Sequence, residues 1–200
     1  MLKRRADLLL SFVLLLSACG PLLKPAEITQ NIYTLNIPKE LPPVRKAASL
    51  LIDAPSAPGS LDTTKIALKR EANRFDYFAD SQWVDRAPLM LHHLIVNTLE
   101  KSGPLTVSAA TALGTETGYF LTVEIRDFQA EYAGRQLPEI HIGLAVRLHS
   151  LPERQLIAAH VFEEKIPADA NTMQAVVNAF DSGLQRLLAG LTSWTTEKMK

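Results

Sequence analysis

The chain has 200 residues, of which 21 are Lys or Arg, 21 are Asp or Glu and one is cysteine. This length supports one domain with a substantial core, and a single cysteine excludes an intramolecular disulfide and a multi-thiolate metal site. The balanced charge argues against binding to nucleic acid, or to an anionic membrane surface, through a basic patch.

The N-terminus has the pattern of an export signal. A basic start at residues 3–5 precedes an apolar run over residues 8–16, which is too short to span a bilayer, and Ala18 then leads to Cys19. This order resembles a bacterial lipobox, which implies cleavage between Ala18 and Cys19 and a diacylglyceryl group with an N-acyl chain on Cys19. An unlipidated product would leave a free thiol in an oxidising compartment. In this class of signals, Gly20 rather than aspartate after the cysteine implies the outer membrane.

We therefore divide the chain into a signal peptide (1–18), a lipidated N-terminus and tether (19–30) and a single periplasmic domain (31–200). The signal contains three basic side chains and one acidic side chain, which leaves 18 basic and 20 acidic side chains and a net charge of −2. No second apolar stretch approaches the length of a membrane span.

The first half of the domain predicts four strands and one helix. The predicted strands lie at residues 32–37, 48–53, 65–70 and 74–78, with a hairpin turn at residues 71–73. Asp85 is the predicted N-cap of a helix over about 86–102, because Pro88 falls in its first turn and apolar residues recur at helical spacing. Gly103 ends this helix.

The second half predicts an antiparallel meander and a long final helix. After a short strand at 105–107 and a loop at 109–118, three strands are predicted at residues 119–127, 140–148 and 155–166. The odd positions form one apolar face in the first of these strands, and the even positions form it in the second. In the third strand, Ile157, Ala159 and Val161 lie on one side.

Asn171 is the predicted N-cap of the final amphipathic helix, at about 171–195. Gly183 in this helix is predicted either to weaken it or to permit close approach to the sheet. The fold class is α+β, an α/β two-layer arrangement in which a mixed, largely antiparallel sheet packs against two main helices.

Motifs for catalysis and metal binding are missing from the sequence. It contains no nucleophile elbow, phosphate-binding loop or His-Glu-x-x-His. Two pairs of histidines could suggest a metal site, but neither pair can share one ion. His92 and His93 are adjacent on a helix and therefore point in different directions, and His141 and His149 are about 26 Å apart on one strand. We predict no catalytic and no metal-binding residues, although an acid–base pair involving Asp76, Asp80 or Asp85 stays open.

An aromatic cluster precedes the first helix and consists of Phe75, Tyr77, Phe78 and Trp83. The favoured interpretation is core packing, because aromatic side chains bury a large area. The alternative is that Tyr77, Phe78 and Trp83 contact a partner or a lipid at the start of the helix.

The same segment carries a family resemblance. Tyr77-Phe78-Ala79-Asp80-Ser81-Gln82-Trp83 and the residues up to Pro88 are similar to the aromatic–x–Trp–x–x–x–x–Pro segment of ABC-type transport auxiliary lipoproteins. The early strand after the lipidated cysteine, the helix, the meander and the closing helix follow that family's order. The resemblance implies an outer-membrane lipoprotein of an MCE-type (mammalian-cell-entry) ABC system that moves phospholipid between the inner and outer membranes.

Under this resemblance the chain is not an enzyme and uses no cofactor besides its covalent lipid. Its implied partners are membrane lipid, a periplasmic MCE protein and the inner-membrane permease and ATPase, and a homo-oligomer stays open. Two alternatives remain at this point. One is a lipoprotein that assists the assembly of another envelope machine, and the other is a periplasmic hydrolase.

Overall fold

The computed structural model describes residues 30–44, 47–109, 118–151 and 153–199. The predicted signal, Cys19, nearly all of the tether and most of the predicted loop at 109–118 lie outside these residues. Eight strands and two helices are found in the described part. They are β1 (Asn31–Tyr33), β2 (Ala48–Ile52), β3 (Lys65–Glu71), β4 (Arg74–Trp83), α1 (Ala87–Ser102), β5 (Leu105–Ala109), β6 (Gly118–Glu131), β7 (Glu139–Leu151), β8 (Leu156–Pro167) and α2 (Met173–Lys198).

All eight strands form one mixed sheet with β6 at its centre. One side of β6 pairs with β7 along its whole length, and the other side pairs with β2 near its start and with β3 near its end. Beyond these, β5 borders β2, β4 and then β1 follow β3, and β8 borders β7. The longest ladders, β6–β7 and β7–β8, are antiparallel, which confirms the predicted α+β fold.

The alternation of the meander follows the prediction until a bulge in β6. Leu121 and Ile125 point into the core, and so do the even residues of β7 from Ile140 to Leu148. Arg126 is an extra residue between the pairs Ile125–Leu144 and Asp127–Gly143. Because one extra residue reverses the alternation, the even residues Phe128 and Ala130 are buried in the second half of β6.

The outer strand β8 places its predicted apolar face in solvent. Ala159 and Val161 lie opposite Arg147 and Ala145 of β7, on the face away from the helices, and Val161 is 47% exposed. The opposite face of β8 carries Phe162 and Ile166, which pack against the core.

The helix α2 covers β7 and β8 at close range, and Gly183 permits this approach. A Cβ atom at Gly183 would lie 2.7 Å from Cδ1 of Ile166 and 3.2 Å from Cδ1 of Ile142. This contact supports close approach, the second of the two predicted roles of this glycine.

Two predicted N-caps are wrong by one residue. Arg86, not Asp85, occupies the N-cap position of α1, and the Asp85 carboxylate instead accepts a hydrogen bond from the Arg86 N–H at 2.7 Å. Thr172, not Asn171, caps α2, because its hydroxyl accepts from the Ala175 N–H at 3.3 Å. The Asn171 amide oxygen accepts a hydrogen bond from the Tyr132 hydroxyl instead.

Two of the predicted early strands have different lengths in the structure. The predicted strand 32–37 is only three residues long, because the chain then leaves the sheet and follows α2. Leu35 is buried there, and the Asn36 N–H donates to the Asp181 carboxylate at 2.6 Å. In contrast, β4 continues to Trp83 because β1 pairs with its last three residues.

Candidate functional site

Trp83 is a core residue and is not exposed to a partner. Its side chain is 1% exposed, and its ring lies 5.6 Å from that of Phe128 and 5.2 Å from that of Phe180. The last strand residue of β4, the bulged strand β6 and the helix α2 therefore meet at one aromatic cluster. The alternative that Trp83 contacts a partner is wrong, because its side chain is buried. Trp83 is a core residue, as the favoured interpretation predicted.

Tyr77 and Phe78 are half-buried, and Tyr77 has a structural partner of its own. Its hydroxyl donates to the carbonyl of Ser60 at 3.1 Å, and the ammonium of Lys65 lies 5.2 Å from its ring centre. Tyr77 thereby fastens the loop before β3 to β4. Phe78 is the first of four β4 residues that lie in an irregularity of the β3–β4 ladder, between the paired residues Tyr77 and Gln82.

The polar side chains on the outer face of the sheet meet around His141. Its Nε2 atom lies 2.8 Å from the Glu163 carboxylate of β8, and its Nδ1 atom lies 3.3 Å from the Glu131 carboxylate of β6. The ring therefore joins three adjacent strands. Both ring nitrogens thus contact carboxylates, and His141 links the three strands through its side chain.

Gln129 connects the two β6 carboxylates of this network through its side-chain amide. Its side chain is almost fully buried, and its amide group donates to Asp127 at 2.9 Å and to Glu131 at 2.8 Å. Its carbonyl oxygen accepts a hydrogen bond from the Phe128 N–H at 2.8 Å. All the polar atoms of this buried amide are thus used, which fixes the two carboxylates in place.

The charges around His141 shift the pKa values of its neighbours. Burial alone would raise the pKa of Glu131, but hydrogen bonds from Gln129 and His141 outweigh it and hold this pKa below its ordinary value. Hydrogen bonds from Lys165 and then from His141 lower the pKa of Glu163, and the same ion pair raises the pKa of Lys165.

Asp127, Glu131 and His141 are close enough together to hold a metal ion, with ligand atoms within 4.8 Å of one another. However, the ammonium of Lys69 already lies 3.6 Å from Glu131 and 4.0 Å from Asp127. The Lys69 ammonium partly offsets the charge of these carboxylates and the Gln129 amide donates a hydrogen bond to each, so the group is already connected as a cross-strand network. The sequence patterns did not predict this network, because it depends on the register that places Gln129 opposite His141. Patterns within a single strand do not give that register.

Among the described residues, the three carboxylates of the hydrolase alternative, Asp76, Asp80 and Asp85, have no hydrogen bond to a histidine. Asp85 accepts a hydrogen bond from the neighbouring Arg86 N–H, Asp76 accepts one from the Tyr77 N–H, and Asp80 is exposed at a backbone φ of 52°. Aspartate tolerates this left-handed conformation better than most residues. Within the described ranges, no serine hydroxyl bonds to a histidine either, and the serine hydroxyls bonded in α1, β7 and α2 donate to backbone carbonyls.

Of the seven exposed large apolar side chains among the described residues, three lie around β1 and the start of α1, three lie on β8, and Leu137 lies in the loop between β6 and β7. We call Ile32, Val84 and Leu89 the β1-edge surface, in which Ile32 is 62% and Val84 58% exposed. We call Leu156, Ile157 and Val161 the β8-edge surface. Five strand-to-strand steps of about 4.8 Å separate β1 from β8, which is about 24 Å along the sheet.

Comparisons with known proteins agree with this fold. A family model described as an ABC-type transport auxiliary lipoprotein component matches residues 33–191. The crystal structure of protein XCC0632 from Xanthomonas campestris is similar, with 25% sequence identity, a TM-score of 0.74, and coverage of 84% of this chain and 96% of that one. Protein CT253 from Chlamydia trachomatis shares the fold at 10% identity and a TM-score of 0.53, over 77% of this chain and 98% of that one.

Among curated proteins, none matches this chain. In the described part of the structure, neither helix combines the length and apolar character needed to cross a bilayer. The family model spans all the strands from β2 onward, the cluster of Trp83, Phe128 and Phe180, and most of α2. The chain therefore belongs to the family of ABC-type transport auxiliary lipoprotein components.

Proposed function

We propose that this chain is a non-enzymatic, lipid-anchored docking component of an MCE-type ABC system that moves phospholipid between the inner and outer membranes. Family membership over residues 33–191 is the observation that carries this proposal. In this proposal, the signal peptide is cleaved between Ala18 and Cys19, and Cys19 carries the lipid. The lipid holds the domain at the outer membrane, facing the periplasm. The partners are a periplasmic MCE protein and the inner-membrane permease and ATPase of the same system.

The arrangement of the sheet supports a docking role. The predicted anchor precedes β1, so the membrane attachment enters the domain at one edge of the sheet. The opposite edge is β8, a 12-residue strand whose outer side has no strand neighbour among the described residues. Such an edge offers unpaired backbone groups beside the exposed Leu156, Ile157 and Val161, which suits the addition of a partner strand.

The chemistry of the outer face also supports a role without catalysis. The His141 network uses both ring nitrogens in structural contacts, and its carboxylates are balanced by Lys69 and Lys165. Any work of transport then comes from the partner ATPase, since this sequence has no phosphate-binding loop.

Affinity purification from detergent-solubilised envelopes tests this proposal. The full-length, lipidated protein is expected to recover a periplasmic MCE protein, identified by mass spectrometry. The matched control is a variant with Val161→Arg and Ile157→Arg on the β8-edge surface, which is expected to be lipidated and folded but to recover several-fold less partner. Recovery of no MCE protein by the unaltered chain, or recovery of a different envelope machine in its place, contradicts the proposal.

A further inference from the structure

The two most exposed side chains of the β1-edge surface, Ile32 and Val84, lie in or beside β1, the first strand of the described chain. Ile32 is in β1, directly opposite Gln82 of β4, and Val84 follows β4, where its N–H donates to the Tyr33 carbonyl at 2.7 Å. Trp83 between Gln82 and Val84 points into the core. Because side chains alternate along a strand, Ile32 and Val84 point to the outside together.

This surface is held rigidly. The buried Trp83 fixes the end of β4, and the Asn31 side chain donates to the Asp80 carbonyl at 3.3 Å beside the β1–β4 ladder. Leu89 lies in the first turn of α1, where its N–H donates to the Arg86 carbonyl at 3.0 Å. Ile32 is thus in a strand and Leu89 in the first turn of a helix, while Val84 lies in the short connection between β4 and α1 and is held there by its hydrogen bond to β1.

We propose that the β1-edge surface rests on the lipid bilayer that holds the anchor. This inference depends on lipidation of Cys19, which is part of the proposed function. Eleven peptide units join Cys19 to Gln30, so the first described residue is at most about 40 Å from the lipid attachment. The β8-edge surface begins about 24 Å farther along the sheet, so the anchor favours the β1-edge surface for contact with lipid.

The charges around this surface determine which lipid it suits. Asp62, Asp80 and Asp85 surround it, and the one nearby guanidinium, on Arg86, donates two hydrogen bonds to the Asp62 carboxylate. The ammonium of Lys65, which lies opposite Gln82 on β3, is also nearby and sits over the Tyr77 ring. One ammonium among three carboxylates does not make the basic cluster that attracts anionic lipid. We therefore expect contact through apolar side chains with the interface of a neutral, zwitterionic bilayer.

The experiment measures the depth of a probe in vesicles. The lipidated full-length protein carrying Val84→Cys is labelled with a thiol-reactive fluorophore and reconstituted into phosphatidylcholine vesicles that contain lipids with a nitroxide near the headgroup. Lipidation of Cys19 leaves the new cysteine as the one free thiol. The matched control is Val161→Cys, an apolar strand residue of similar exposure on the β8-edge surface.

We expect the fluorophore at residue 84 to be quenched at least three-fold more than the one at residue 161, with no increase when anionic lipid is added. Ile32→Cys is a second probe of the same surface if Val84→Cys does not fold. Equal quenching at both edges, stronger quenching at residue 161, or failure of the protein to remain on the vesicles overturns the inference. Because the vesicles contain no partner protein, this result is independent of the purification that tests docking.

Discussion

Replacement of Gly183 by alanine tests how closely α2 packs on the sheet. In a helix interior, Gly→Ala normally stabilises a protein by about 0.5–1 kcal/mol. At Gly183, however, the added Cβ would lie 2.7 Å from Ile166 Cδ1 and 3.2 Å from Ile142 Cδ1, so the side chains must shift. Overpacking of this kind costs about 1–3 kcal/mol. The expected net effect is a destabilisation of about 0–2 kcal/mol.

Gly190 is the matched control on the same helix. A Cβ atom there would lie 3.7 Å from Phe162 Cε1, which is an ordinary van der Waals contact. Gly190→Ala is therefore expected to stabilise the protein by about 0.5–1 kcal/mol, a difference of about 1–3 kcal/mol between the two variants. Urea unfolding followed by tryptophan fluorescence measures both. Equal stabilisation by the two substitutions would refute the close approach of α2 at Gly183.

Three further predictions concern the core, the polar network and the anchor. Trp83→Ala is expected to lower the free energy of unfolding by about 3–5 kcal/mol in urea titrations, because it empties the aromatic cluster, and a loss below about 1 kcal/mol would contradict the burial of this ring. The pKa of Glu131 is lowered in the folded state, so its stabilisation is present above its unfolded pKa of about 4.5 and is lost as the pH falls through the folded value. Glu131→Gln is therefore expected to flatten the loss of stability below about pH 4.5, and an unchanged pH profile would contradict the lowered pKa. Cys19→Ser is expected to abolish labelling with radioactive fatty acid and to leave an uncleaved precursor, whereas a processed, membrane-attached variant would contradict the lipobox.

The local patterns of the sequence predicted most of the elements. The alternation over residues 140–148 gave the buried face of β7, and the apolar spacing gave both helices to within three residues at either end. These predictions depend on neighbouring residues alone. The cap positions failed because an aspartate or asparagine one residue before the helix satisfies the same pattern, while backbone conformation decides which residue is the N-cap.

Non-local pairing could not be predicted in the same way. The parallel pair of β1 with β4 joins residues 50 positions apart and extends the fourth strand, while the first strand is short because the chain leaves the sheet after Tyr33 and contacts α2. The bulge at Arg126 reverses the alternation of β6 without any glycine or proline to mark it. Both features depend on which strands become neighbours, and a single sequence does not carry that information.

The candidate surfaces show the same division. The favoured interpretation of Trp83 as a core residue agrees with its burial, but its ring partners are Phe128 and Phe180 from β6 and α2, and the exposed apolar residues at this end are Ile32, Val84 and Leu89. An apolar residue on a short edge strand has the same local pattern as one on a buried strand. Likewise, the partners of His141 come from the two strands on either side of its own, so its network becomes visible only when the register is known.

The central claim is that this lipoprotein docks a periplasmic MCE protein, and site-specific photo-crosslinking in intact cells tests it most directly. A photoreactive amino acid is placed at Val161 on the β8-edge surface, and at Arg186, an exposed residue of α2, as the control. The account predicts a crosslinked product at residue 161 that contains an MCE protein, with little or none at residue 186. Crosslinks at residue 161 to other proteins alone, or no MCE product at either position, would contradict it.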